Sequence, residues 1–180
     1  MRLFLAIDLP KEVKQSIATQ LAPLKSEYPD FRWVDESRYH ITLHFFGERD
    51  DPEKVIERVS TAVYDIDPFR MYSGQASLFM KNTIILHITF QRNRMIERLA
   101  SQVQDAFNEN KAIRYIPHLT IARYRIPSKQ QYLLIKKKVG RLNLDVEFDV
   151  TQITLFNSVI KSEKPLYETI AEIPLEKHAP

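Results

Sequence analysis

The 180 residues carry 26 Lys and Arg against 23 Asp and Glu, for a net charge of +3, and contain no cysteine. That length suits one domain with a core of its own. The absence of cysteine excludes disulfides, thiolate zinc sites and cysteine nucleophiles, and the charge suits a phosphate-bearing ligand but is too mild to mark nucleic-acid binding by itself.

In chain order, residues 2–8 alternate as a strand within MRLFLAIDLP. Its apolar run is too short for a signal peptide, and no window is long enough to cross a bilayer, so the sequence predicts a soluble cytoplasmic protein with no membrane partner. Pro10 opens a helix with Val13, Ile17, Leu21 and Leu24 at helical spacing. Residues 39–46 read as a strand ending at Gly47, and Pro52 starts a second helix with Val55, Val59 and Ala62 on one face. Two strands follow at 70–80 and 83–90, with a hairpin turn at Lys81-Asn82.

A third helix over 93–109 carries Ile96, Leu99, Val103 and Ala106, and 115–125 is another strand. Ser128 caps a short helix to about residue 139, whose Lys136-Lys137-Lys138 run reads as a solvated face. Residues 142–173 give two or three strands. Strand–helix order recurs in the two halves, and with only 3 glycines and no linker there is no cut point between them.

The chemistry lies in a repeated pattern. His40-Ile-Thr42-Leu43 and His118-Leu-Thr120-Ile121 are 78 residues apart. On a strand, residues i and i+2 share a face, so each pattern presents an imidazole and a hydroxyl together and buries its apolar pair behind them. A third copy, His87-Ile-Thr89-Phe90, sits in a continuous apolar run (Ile84, Ile85, Leu86, Ile88) that feeds into a helix. It reads as a buried strand histidine.

Pro117 favours an extended backbone just before His118, and Arg123 follows as a cation able to bind phosphate in a bidentate way. Strict alternation puts Arg123 on the opposite face from His118, so it reaches the same phosphate only across a twist or bulge. Trp33, Tyr39 and Phe46 lie close to the first pattern, and alternation puts Phe46 on the face of His40 and Thr42; stacking on a base competes with plain core packing for all three. His40 and His44 stand at i and i+4 on a strand, not on a helix, and the motif faces carry no carboxylate, so no metal site is expected.

The paired HITL and HLTI, with RLFLAIDLP, FRWVDESRYHITLHFFGE and PHLTIAR around them, resemble the 2H phosphoesterase superfamily. The similarity is to its LigT/ThpR branch of RNA 2',3'-cyclic phosphodiesterases, also called 2'-5' RNA ligases. It implies an α+β fold: one catalytic domain over 1–180, made of two pseudo-symmetric lobes. Each lobe would be an antiparallel sheet backed by helices, with one His-x-Thr motif apiece (40–43 and 118–121) facing a central cleft. It also implies hydrolysis of 2',3'-cyclic ends of RNA, or of cyclic nucleotides, to 2'-phosphates, without metal or cofactor; a monomer is expected, although the sequence itself is silent on oligomeric state.

By the same resemblance His40 donates a proton to the 3'-oxygen, and His118 accepts one from water. Thr42, Thr120, Arg123 and Phe46 contact the substrate, and His87 matches no catalytic position. Two histidines suit such a reaction, because a side chain with a pKa near 6.5 gives or takes a proton at neutral pH. The residues alone leave the direction of proton transfer open. They also leave open two other functions: 2'-5' ligation at the same site, and a non-catalytic module that holds RNA ends or nucleotides.

Overall fold

The computed structural model describes residues 1–80, 83–108, 115–125, 128–142, 144–161 and 164–176, without the side chains of Lys161 and Lys164. The Lys81-Asn82 turn lies outside these residues. Strand β1 (Arg2–Asp8) sends Leu3, Leu5 and Ile7 to one side and Phe4 and Ala6 to the other. The first set joins the main core and the second a small cluster with Phe156, so the two faces of the sheet are already distinct here.

Among the described residues, four helices share the core face. They are α1 (Lys11–Glu27), α2 (Pro52–Val63), α3 (Arg94–Ala106) and α4 (Lys129–Val139). Asp51, Asn93 and Ser128 cap α2, α3 and α4 by accepting from the backbone N–H groups of Lys54, Met95 and Gln131. Each helix buries one stripe: Ile17, Leu21 and Leu24; Val55, Val59 and Val63; Ile96, Leu99 and Val103; Ile135 and Val139. Burying such a side chain contributes about 1.5–3 kcal/mol, so a charge at Val59, which has no exposed surface, would detach α2.

The remaining strands are β2 (Arg32–Trp33), β3 (His40–Glu48), β4 (Phe69–Met80), β5 (Ile84–Phe90), β6 (His118–Tyr124), β7 (Glu147–Val150), β8 (Gln152–Lys161) and β9 (Lys164–Pro174). They pair antiparallel in the order β7-β4-β5-β6-β3-β1-β8-β9, with β2 also on β6. The expected α+β architecture is therefore present, as one continuous sheet with its helices packed into a common core.

β2 and a 3-10 turn at Glu36–Arg38 lie where the sequence predicts no element. The two sides of the sheet meet where β3 and β6 pair, in register at Ile41 and Leu119. The β2–β6 pairing also crosses this seam, together with two bonds: Tyr115 donates its hydroxyl to the Thr42 carbonyl at 3.0 Å, and the Val34 N–H donates to the Ile121 carbonyl at 2.8 Å.

Candidate active site

Antiparallel pairing of Ile41 with Leu119 fixes the site. These two residues point into the core, so their neighbours point the other way: His40 lies beside Thr120, and Thr42 beside His118. The two motifs are thus related by a local two-fold, and two imidazoles and two hydroxyls share one patch of the sheet face away from the helices. All four side chains are partly exposed.

Each imidazole is held in the same way. His40 Nδ1 is 2.7 Å from the Arg38 carbonyl and His118 Nδ1 is 2.9 Å from the Ile116 carbonyl, two residues back in each case. A carbonyl only accepts, so Nδ1 carries the hydrogen and Nε2 is left for chemistry. Neutral, Nε2 is a base; protonated, it is an acid. The Thr42 and Thr120 hydroxyls make no hydrogen bond among the described residues, which leaves them available to a ligand.

The surroundings of the two histidines differ. The His40 ring packs against Phe4 (centroids 5.2 Å apart) and edge-on to Tyr167 (5.3 Å, 90°), with Phe156 behind them. This burial lowers its pKa from 6.5; the hydrogen bond to the Arg38 carbonyl and the Asp8 carboxylate oppose the shift, and Lys14 adds to it. Asp8 is the cross-strand partner of His40 and is itself paired to Lys14 at 2.7 Å. A cleft of about 650 Å³ opens from His40 toward β9, lined by Asp8, Arg38, Phe156, Tyr167 and Thr169 among others.

The third motif stands next to the second. In the register of β5 with β6, His87 faces Thr120 and Thr89 faces His118. The His87 ring is 1% exposed, stacks on Phe79 at 3.7 Å and 9°, and meets the His118 ring edge-on at 5.7 Å. Burial is the main reason its pKa falls to about 4, against its bond to the Ile85 carbonyl and with a further push from His118. The Thr89 hydroxyl is occupied, donating to the Gln75 carbonyl and accepting from the Gln75 N–H. His87 is a buried strand histidine, as expected, yet it touches the site.

Bulges re-aim two predicted contacts. On β3, Leu43 and Phe46 are extra residues against β1: Thr42 pairs Ala6, His44 pairs Leu5, Phe45 pairs Phe4 and Gly47 pairs Leu3. Alternation therefore breaks after Thr42. Phe46 does not share the face of His40; it is 4% exposed and packs in the core against His44 and Phe107, while Phe45 takes the place on the site face. His44 also faces the core, so His40 and His44 do not converge on one ion.

On β6, Ile121 is an extra residue against β5, because Thr120 pairs His87 and Ala122 pairs Leu86. That bulge returns Arg123, the partner of Ile85, to the face of His118 and Thr120. Trp33 and Tyr39 pack in or against the core. The aromatic groups beside His40 are instead Phe4, Phe156 and Tyr167. Phe4 was legible from alternation in β1; the other two depend on how β8 and β9 pair, which no local pattern states.

Over 180 residues the chain is 28% identical to an RNA 2',3'-cyclic phosphodiesterase of Methanocaldococcus jannaschii, covering 96% of this chain and 99% of the relative. A protein of the same name from Thermotoga maritima is 24% identical, covering 98% and 96%. LigT of E. coli, a crystal structure in its apo form, has the same fold, with a TM-score of 0.75 at 21% identity over 98% of both chains. The model of the 2'-5' RNA ligase superfamily matches residues 13–159, and the chain belongs to that family.

Proposed function

We propose that the protein hydrolyses RNA 2',3'-cyclic phosphodiester ends to 2'-phosphomonoesters with His40 as proton donor and His118 as proton acceptor. The observation that carries this reading is the two-fold arrangement about Ile41 and Leu119, which sets two Nδ1-anchored imidazoles and two unengaged threonine hydroxyls around one patch. A phosphorus atom over that patch has a histidine on either side, as an in-line displacement requires.

His118 Nε2 takes a proton from water as it attacks phosphorus. His40 Nε2–H delivers a proton to the departing 3'-oxygen, and the phosphate remains on the 2'-oxygen. Thr42 and Thr120 donate to the non-bridging oxygens, and Arg123, farther along the face, offsets the anion's charge. Each histidine is worth about 10²- to 10⁴-fold in rate.

Burial favours neutral His40, so in the free protein its acid form is scarce at neutral pH; the anionic substrate beside it favours the proton's return. The aromatic wall of Phe156 and Tyr167 suits a nucleoside. The relatives' name, RNA 2',3'-cyclic phosphodiesterase, supports the same substrate class. This reading takes the chain as one cytoplasmic catalytic domain of two lobes, acting as a monomer and without metal or cofactor.

The family's description as RNA ligases favours a second use of the site, in which an RNA 5'-hydroxyl replaces water and a 2'-5' bond forms. Water at high concentration competes against it. The test is chromatography of products from a cyclic-ended oligonucleotide in EDTA, with wild type beside His40→Ala and His118→Ala. A 2'-phosphate made by wild type alone is the expected result; a 3'-phosphate would reverse the leaving group, and turnover surviving in both variants would remove the histidines from the mechanism.

A further inference from the structure

The bulge at Ile121 has a second effect. Arg123 stands directly opposite Arg32 of β2, and Trp33 opposite Ala122. The inward-facing residues of this short pairing are fixed by packing: Phe31 stacks on Trp33 at 5.8 Å and on Tyr124 at 4.5 Å, and Trp33 Nε1–H donates to the Tyr28 carbonyl at 2.8 Å. Phe31 and Trp33, flanking Arg32, are thus held against the core, and Arg32 is left on the outer face, where both arginines are exposed.

Directly opposed residues of antiparallel strands have Cβ atoms about 4.5–5.5 Å apart, and like charges there are destabilising. Neither guanidinium has an ion pair or hydrogen bond among the described residues. Two uncompensated cations at one cross-strand position are an unfavourable arrangement that an anion between them would relieve.

The pair lies on the face of the two histidines. β2 continues along β6 where β3 leaves it, so the row of Arg32 and Arg123 follows the row of His40 and Thr120. Two residues of strand lie between Thr120 and Arg123, so their Cα atoms are at most roughly 10 Å apart. Arg123 can reach toward the anion held by the threonines, whereas Arg32 lies a strand farther out on β2, so the space between the two guanidiniums falls where an adjacent nucleotide would pass.

We infer that Arg32 and Arg123 form a second anion subsite, which takes the internal phosphodiester next to the terminal phosphate and gives an RNA chain an advantage over a mononucleotide. The choice of RNA as ligand rests on the function proposed above; the presence of an anion subsite does not.

The test uses equilibrium titration of wild type, Arg32→Gln and Arg32→Lys with two product-type ligands, a nucleoside 2'-phosphate and a trinucleotide ending in the same 2'-phosphate. Wild type should bind the trinucleotide about tenfold or more tightly than the nucleotide. Arg32→Gln should abolish most of that ratio and make the salt dependence of trinucleotide binding shallower by about 0.7 in log–log slope, while Arg32→Lys should retain part of the ratio. Equal affinity of wild type for both ligands would overturn the subsite, as would an undiminished ratio in Arg32→Gln at an unchanged thermal midpoint. Because binding is read without turnover, failure of the hydrolysis assay and failure of the subsite are separate results.

Discussion

Strands β5 and β6 lie side by side and carry the same pattern, His-x-Thr, with the same Nδ1 bond to the carbonyl two residues back. Yet one copy is packed away and the other is partly exposed on the sheet face. Phe79 lies flat on His87, and Thr89 uses its hydroxyl to hold both backbone groups of Gln75. That bond sits at a bulge of β4, where a side chain on Gly74 would come within 2.6 Å of the Thr89 oxygen. What distinguishes His118 is that its ring is partly exposed and that Thr120, the threonine of its own motif, has an unspent hydroxyl. A motif supplies the groups, and the packing around it decides whether they are available.

That contrast is open to direct attack. The largest effect should come from His118→Ala, with turnover lower by about 10²- to 10⁴-fold and unfolding by urea little changed. His87→Ala should do the opposite: it empties a fully buried site at a cost of about 2–4 kcal/mol in urea unfolding, with a far smaller change in turnover. If His87→Ala abolished turnover in a protein that remained folded, the third histidine would have to join the chemistry.

The threonines sharpen the comparison at smaller scale. Thr42→Val or Thr120→Val should lower kcat by about 10- to 100-fold, since each removes a donor to the transition state. Thr89→Val should leave kcat within about twofold and cost about 1 kcal/mol of stability through the lost bonds to Gln75.

Protonation gives a further test. His87 is neutral in the fold down to about pH 4 but takes a proton in the unfolded chain near 6.5. Its contribution to stability is therefore unchanged above 6.5 and falls as pH drops from there to about 4, by about 3 kcal/mol at most. Urea titrations at pH 7 and pH 4.5 should show this loss in wild type and a smaller one in His87→Leu.

The smallest effect expected is in the pH profile. As the acid, His40 must be protonated, so kcat/KM should fall as pH rises through a value below 6.5. Tyr167→Ala, which opens the ring to water, should move that limb upward, and a limb that stayed in place would show that burial is not what sets it.

The sequence was legible where a single strand or helix speaks for itself. Stripes such as Ile96, Leu99 and Val103 located the helices, Ser128 announced its own cap, and the shared face of His40 and Thr42 followed from a period of two. It was silent where the phase of a strand is reset by its neighbour. Leu43 and Ile121 are ordinary β-branched or aliphatic strand residues, and nothing local marks either as the extra member of a bulge. Phe46 was therefore assigned to the wrong face, and Arg123 was set against an obstacle that the fold removes. Gly47, with φ of 72°, is the one mark of irregularity in β3 that a reader could have seen.

The seam at Ile41 and Leu119 has a mechanical consequence. The two sides of the sheet meet there through the Ile41–Leu119 pairing, the β2–β6 pairing, the Tyr115–Thr42 bond and the Val34–Ile121 bond, over a shared core. His40 and His118 each adjoin a residue of that seam, one from either side. The spacing of acid and base is therefore gauged by one backbone-bonded pair of strands, and side-chain changes at the rim of the cleft leave that gauge untouched.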